Sequence, residues 1–288
     1  MWLRPSNLKS GERIPDLSDV TIVIITNASP GSLAFEAAKS VAVRFPGLLI
    51  LTAQKISVLE EVREAILSQT PNANIRLLDF DLASQDSVRK AALSLTESGD
   101  RFNILVHSAG VMASPYGVTT EGIKSQFGIN HIGKFYDFVG PFLFTNLIIP
   151  ILNAGASIVN VTSQYNMWQA YAQSKAANIL FSAALARKSA HKDVRSFSVH
   201  PGSIVTNLGR HLTQEDYDML FTMSGIHMEY KTAQQGAANM TIAAFDPFIK
   251  GKSSVNPISE KFDYAFGVAN EERLWELSEQ LVNQKFSY

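Results

Sequence analysis

The 288-residue chain contains no cysteine. Disulfides, thiolate-held metals and cysteine nucleophiles are thereby excluded. A surplus of one charge is missing too: 25 basic residues stand against 26 acidic ones, for a formal net charge of −1. No basic block runs along the chain to follow a phosphate backbone, so nucleic acid is not expected as a partner. The six histidines show no metal-ligand spacing, and no metal is expected. Long hydrophobic runs are lacking as well. The nearest approach, Phe135–Leu152, is broken by Asp137, Gly140, Pro141 and Asn146 and reads as a buried helix rather than a membrane span. The opening Met-Trp-Leu-Arg-Pro-Ser has no apolar signal-peptide core, so a soluble, cytoplasmic protein is expected. Linkers, low-complexity stretches and internal repeats are absent. One domain over residues 1–288 is expected, with a core at about 20–245 and a C-terminal helical segment at 246–288.

What is present is a regular alternation. Val20–Thr26, Leu48–Thr52, Ile75–Leu78, Ile104–His107, Ser157–Thr162 and Ser196–His200 read as strands. Most are apolar without interruption, as in strands buried on both faces of a parallel sheet. Helical patterns fall between them at Leu33–Phe45, Ile56–Gln69, Ser84–Thr96, from Ile123 through the 140s, and at Gln169–Ala190. Further helices are expected near Glu215–Met223, Thr232–Phe245 and Glu271–Asn283. The fold class is therefore α/β, a doubly wound, mostly parallel sheet flanked by helices.

The chemistry-bearing segment is Val-Thr-Ser163 followed by Tyr171-Ala-Gln-Ser-Lys175. Tyr and Lys at i and i+4 share one helix face, with Cβ atoms about 5–6 Å apart. An ammonium so placed favours the phenolate and lowers the tyrosine pKa, which suits proton transfer near neutral pH. A hydroxyl such as Ser163 can donate to the same substrate oxygen as charge develops on it. Taken alone, Tyr-x-x-x-Lys is by default the pattern of a surface pair. Upstream, Thr26-Asn-Ala-Ser-Pro-Gly-Ser-Leu-Ala34 joins the first strand to a helix, where open parallel sheets bind a pyrophosphate. Such a turn is usually rich in glycine, and here only Gly31 remains. Ser32 and Ala34 each bring a Cβ towards the phosphates or the neighbouring strand.

Together these segments resemble the short-chain dehydrogenase/reductase family, particularly fungal members akin to retinol dehydrogenases, from about Val20 to Val282. Thr26–Ala34 is similar to the family's Thr-Gly-x-Ser-Pro-Gly-Gly-Leu-Gly, with Asn27, Ser32 and Ala34 in place of three glycines. Leu105-Val-His-Ser-Ala-Gly110 resembles Leu-Val-Asn-Asn-Ala-Gly, Asn130-His-Ile-Gly133 resembles Asn-His-x-Gly, and His200-Pro-Gly-Ser-Ile-Val-Thr206 resembles the Pro-Gly segment. The resemblance implies a nicotinamide-dependent oxidoreductase acting on a small-molecule carbonyl or alcohol, as a monomer or homodimer. Ser163, Tyr171, Lys175 and Asn130 fall on its catalytic positions. Thr26, Gly31, Leu33, Lys55, Asp81, Ser108, Ile204 and Thr206, together with Tyr171 and Lys175, fall on its cofactor-binding positions. NADP is expected over NAD: no carboxylate ends the second strand to meet a ribose 2′-hydroxyl, and Lys55 is placed for a 2′-phosphate.

The chain departs from the pattern twice. Only Gln164–Ala170 separate Ser163 from Tyr171, fewer than the family's dozen or more, so part of the substrate-pocket wall is expected to be missing. Between Gly133 and Phe142 stand eight residues, Lys134–Pro141, where the family has one. Gly140-Pro141 predicts a kink or bulged loop there. Two readings follow: an active NADP-dependent oxidoreductase, or a degenerate relative that binds cofactor poorly and serves as a binding or scaffold protein.

Overall fold

The computed structural model describes residues 17, 22–110, 126–127, 132–133, 136–162, 169–209, 212–216, 218, 230–246, 249 and 267–288. Six strands form one sheet: β1 (Ile22–Ile25), β2 (Leu48–Ala53), β3 (Ile75–Asp79), β4 (Phe102–His107), β7 (Leu152–Val161) and β8 (Arg195–Val199). Their order is β3-β2-β1-β4-β7-β8, and every pairing is parallel. The chain runs outward from β1 to β3, then returns to lay β4 on the other side of β1. A crevice opens at such a switch point, between the carboxyl ends of β1 and β4.

Continuous apolar runs became strands because helices cover both faces. Val23, Ile25, Leu49, Leu51, Val106 and Val159 point to one side, under α1 (Leu33–Ala42), α2 (Ile56–Leu67) and α6 (Ala233–Phe245). Ile24, Ile50, Leu105 and Ile158 point to the other, under α3 (Gln85–Glu97), α4 (Tyr136–Ile148), α5 (Gln169–Lys188) and α7 (Val268–Leu281). This alternation is the strand period of two, read from both faces at once. Around Phe142 the second layer holds an aromatic cluster, with Phe181, Trp275 and Phe286 at centroid distances of 5.6, 5.1 and 5.7 Å. Among the described residues no helix is long and apolar enough to cross a membrane.

Three expectations need correction. The helix predicted from Ile123 does not begin there: Gln126–Phe127 and Ile132–Gly133 pair antiparallel as β5 and β6, and α4 starts at Tyr136. Gly128 and Gly133 lie inside that stretch, and glycine is a poor helix former. The bulged loop predicted at Gly140-Pro141 is absent, since α4 runs through Pro141. Pro141 lies early in α4, so its missing N–H deprives only the Asp137 carbonyl of a partner. Gly140 serves packing instead, because a Cβ there would lie 2.3 Å from the Leu82 carbonyl oxygen. Finally, β7 begins at Leu152 rather than Ser157, with a register irregularity opposite Phe102–Ile104.

Candidate active site

The turn after β1 is held by its own side chains. Asn27 takes a left-handed φ of 58° and Gly31 one of 73°. Ala28 N–H donates to the Thr52 carbonyl (2.9 Å), fixing the turn to the end of β2. Ser32 is the N-cap of α1: its hydroxyl oxygen accepts from Phe35 N–H (3.1 Å) and Ser29 N–H (3.2 Å). The Ala34 methyl is fully buried in the core beneath α1. The Ser32 hydroxyl is thus turned onto its own helix, and the Ala34 methyl packs in the core shared with the neighbouring strands. Among the described residues the Leu33 and Ala34 amides at the start of α1 find no hydrogen-bond acceptor. Two open amides at a helix start fit the pyrophosphate of a dinucleotide.

Thr26 and Ser108 join the two sides of the crevice. Thr26 N–H donates to the Val106 carbonyl (2.9 Å), and its hydroxyl oxygen accepts from Ser108 N–H (3.1 Å). Beside Ser108, His107 is buried with Nε2 2.7 Å from the Thr145 hydroxyl of α4. Burial pushes it down to about 3, so the imidazole is neutral at physiological pH.

The far end of the crevice lies at the tips of β2 and β3. Asp81 Oδ1 accepts from the Gln54 side-chain amide (2.9 Å) and from Ala83 N–H (2.8 Å), while Ser87 Oγ accepts from Asp81 N–H (2.9 Å). Lys55, exposed, is the N-cap residue of α2 and gives no capping hydrogen bond; the first turn of α2 has no acidic residue. The start of α2 is thus positive and uncapped.

At the catalytic end, Lys175 lies buried in α5 against the tip of β7. Its Nζ is 3.5 Å from the Val161 carbonyl oxygen, which also accepts from Asn178 Nδ2 (3.1 Å). Its own carbonyl accepts from the Thr162 hydroxyl (2.8 Å), and Thr162 N–H donates to Val199 (2.8 Å). Asn178 is further anchored, as its carbonyl accepts from Ser182 Oγ (2.7 Å), which accepts from Asn160 Nδ2 (2.9 Å). Residue 171 lies one turn before Lys175 on the same helix. The Tyr171 side chain, Ser163 and Asn130 lie outside the described residues.

The Pro-Gly segment closes the site from β8. His200 Nδ1 accepts from Gly202 N–H (2.9 Å), and its carbonyl accepts from Asn239 Nδ2 (3.0 Å). Burial, and then the charge of Lys231, hold His200 down to about 4. Ile204 packs on Gly236 of α6, where an added Cβ would meet Ile204 Cδ1 at 1.9 Å and Leu33 Cδ2 at 3.0 Å. Thr206 Oγ1 accepts from Leu208 N–H (3.3 Å), and Asn207 Nδ2 donates to the Pro30 carbonyl (2.6 Å) across the crevice.

The structure therefore gathers Thr26, Gly31, Leu33, Ser108, Ile204 and Thr206 around the crevice, with Lys55 and Asp81 at one end and Lys175 at the other. Sequence reasoning missed Gln54 as a partner of Asp81, Asn178 as a brace beside Lys175, Asn207 across the turn, and Lys231. Each acts over a long sequence separation, apart from Asn178, which an i+3 spacing from Lys175 signals.

The chain is similar to known proteins over much of its length. A family model described as Enoyl-(Acyl carrier protein) reductase matches residues 28–251. The chain is 28% identical to the short-chain dehydrogenase/reductase prx1 of Penicillium roqueforti, over 96% of its own length and 88% of that protein. It is 34% identical to human retinol dehydrogenase 13 over 66% of its length and 60% of that protein. A short-chain dehydrogenase from Burkholderia cenocepacia, solved with NADP, superposes with a TM-score of 0.66 at 19% identity, covering 83% of this chain and 96% of that one.

Proposed function

This chain belongs to the short-chain dehydrogenase/reductase family, and from that premise we propose that it is an NADP-dependent oxidoreductase interconverting the carbonyl and alcohol of a hydrophobic small molecule in the cytoplasm. The observation that carries the reading is Lys175, buried on α5 and seated at the tip of β7 one turn after Tyr171. An ammonium held there favours the Tyr171 phenolate.

A nicotinamide cofactor held in this crevice would supply or accept the hydride. Tyr171 gives the proton to the carbonyl oxygen in reduction and takes it from the alcohol in oxidation. Ser163 donates a hydrogen bond to that oxygen, and Lys175 lowers the Tyr171 pKa and holds the nicotinamide ribose. Asn130 completes the proton path. Thr26, Gly31, Leu33 and Ser108 would hold the pyrophosphate half, Asp81 the adenine, and Ile204 and Thr206 the nicotinamide. Three features support NADP: no carboxylate at the end of β2, exposed Lys55, and the uncapped start of α2. Val205, 71% exposed between two nicotinamide positions, supports an apolar substrate.

A second reading, a degenerate relative acting as a binding or scaffold protein, draws on the Asn207–Pro30 and Gln54–Asp81 bonds, which occupy groups that a cofactor would use. Titration with NADPH followed by nicotinamide fluorescence separates the two: no binding at millimolar cofactor sinks the oxidoreductase reading. Tyr171→Phe should lower kcat by several orders of magnitude with cofactor affinity nearly intact. Unchanged turnover would remove Tyr171 from its role.

A further inference from the structure

We propose that Lys231 is an anion anchor whose ammonium binds an oxyanion at the end of β8, either a phosphate of the dinucleotide or a carboxylate on the substrate. The choice of these two ligands rests on the oxidoreductase reading; the site itself rests on geometry.

The backbone of Lys231 is fixed beside the Pro-Gly segment. It pairs with Ile204 as a parallel bridge, and its N–H donates to the Ser203 carbonyl (2.8 Å). From there the side chain turns back over Gly202. A Cβ added at Gly202 would lie 2.8 Å from Lys231 Cδ and 3.3 Å from Nζ. Gly202 also holds a φ of 101°, so a side chain at 202 is excluded by conformation as well as by space. The aliphatic stem of Lys231 covers that gap and delivers the ammonium to the site.

Among the described residues no carboxylate meets this ammonium: Lys39 pairs with Glu36 at 2.7 Å and Lys188 with Glu272 at 2.9 Å, whereas Lys231 forms no ion pair there. Its titratable neighbour is His200, which is neutral and has Nδ1 committed to Gly202 N–H. Helix dipoles add potential of the same sign. Helix α6 starts at Ala233, two residues on, with no acidic residue in its first turn. Its Gly236 lies against Ile204 and Leu33, so the start of α1 packs against the first turn of α6. Glu36, the acidic residue in the first turn of α1, is taken up by Lys39. A half-buried ammonium two residues before the start of α6, with no counter-charge among the described residues, stabilises an incoming anion and is stabilised by it.

The test compares wild type, Lys231→Met and Lys231→Arg. Methionine keeps an apolar stem over Gly202 and removes the charge, and arginine keeps the charge. One arm measures the Kd of NADPH by fluorescence; the other measures the Kd of benzoate by calorimetry, on cofactor-free and NADP-loaded protein. Lys231→Met should weaken at least one arm by about tenfold or more, as loss of a hydrogen bond to a charged group does. Lys231→Arg should stay within about threefold of wild type in that arm. A loss confined to NADPH assigns the anchor to the cofactor, and a loss confined to benzoate assigns it to substrate. Both constants remaining within twofold of wild type in Lys231→Met overturns the proposal, as does a wild type that binds neither ligand. If NADPH fails to bind but benzoate binds through Lys231, the oxidoreductase reading falls and the anchor stands.

Discussion

Replacing Gly140 by alanine tests how tightly α4 is docked over the end of β3. The new methyl would lie 2.3 Å from the Leu82 carbonyl oxygen, 3.0 Å from Leu82 Cβ and 3.1 Å from the Leu82 carbonyl carbon. A carbon normally approaches a carbonyl oxygen no closer than about 3.3 Å, so helix and loop must part by about 1 Å. Two of the three atoms are backbone, and no change of rotamer relieves them. The surroundings do not yield readily either, since Phe142, Leu143 and Phe144 are fully buried and Phe80 stacks on Phe144 at 4.8 Å.

Overpacking of this kind costs about 1–3 kcal/mol. Alanine returns up to about 1 kcal/mol through its better helix propensity. The net expectation is a loss of about 1–2 kcal/mol. With about 2.1 cal/mol/K of unfolding entropy per residue, a chain of this length should lose roughly 2–3 °C in Tm. Helix propensity alone predicts a gain, so the sign decides. Thermal unfolding followed by circular dichroism provides the assay, and a Tm equal to or above wild type refutes the packing argument. Leu82 directly follows Asp81, so the same variant should also weaken NADPH binding.

The two buried histidines should give the protein an acid-side instability. His107 and His200 titrate at about 3 and about 4, below the ordinary value of 6.5. The unfolded chain takes up these protons near pH 6.5, and the fold does not until the lower values are reached. Stability is therefore complete above pH 6.5 and falls as the pH drops, by up to about 1.4 kcal/mol per pH unit for each histidine. His107→Asn should flatten the dependence of urea-derived stability between pH 6 and 5 by about 1 kcal/mol per unit; an unaltered slope removes His107 as a cause. Lys55→Ala should raise the Kd of NADPH by about tenfold and leave that of NADH unchanged. Equal effects on the two cofactors would disprove the 2′-phosphate contact.

What the sequence revealed was local. Leu48–Ala53 reads as a buried strand because six consecutive residues fill both faces of the sheet. Lys175 reads as a candidate because one helical turn separates it from Tyr171. What it concealed was long-range or conformational. Gly140, next to a proline, suggested a break; its real function is a contact with Leu82, about sixty residues earlier, which no local pattern encodes. Lys231 meets Ile204 across a 27-residue gap, as Gln54 meets Asp81. Ser32 shows a conformational limit: residue type says that a Cβ is present, but only the folded turn shows the hydroxyl bent back to cap α1.

The altered turn also bears on the choice between an active and a degenerate protein. Asn27 holds a left-handed φ at a modest cost, since asparagine tolerates that region better than most residues. Ser32 caps α1 at least as well as glycine would, by a few tenths of a kcal/mol. Ala34, in the first turn with its methyl buried, favours the helix over glycine by up to about 1 kcal/mol. The three substitutions nearly balance and leave the Leu33 and Ala34 amides open. The case for degeneracy then rests on the Asn207–Pro30 and Gln54–Asp81 bonds. The neutral Asn207–Pro30 bond contributes about 0.5–1.5 kcal/mol net, so displacing it weakens a ligand by roughly tenfold at most. The Gln54 bond to the Asp81 carboxylate contributes about 1.5–3 kcal/mol, or roughly tenfold to 150-fold. Both losses together move a micromolar cofactor site to about 0.1–1 mM and do not abolish it. This supports the oxidoreductase reading and predicts that Asn207→Ala binds NADPH as tightly as wild type or tighter; a weaker variant would mean that Asn207 holds the cofactor rather than competes with it.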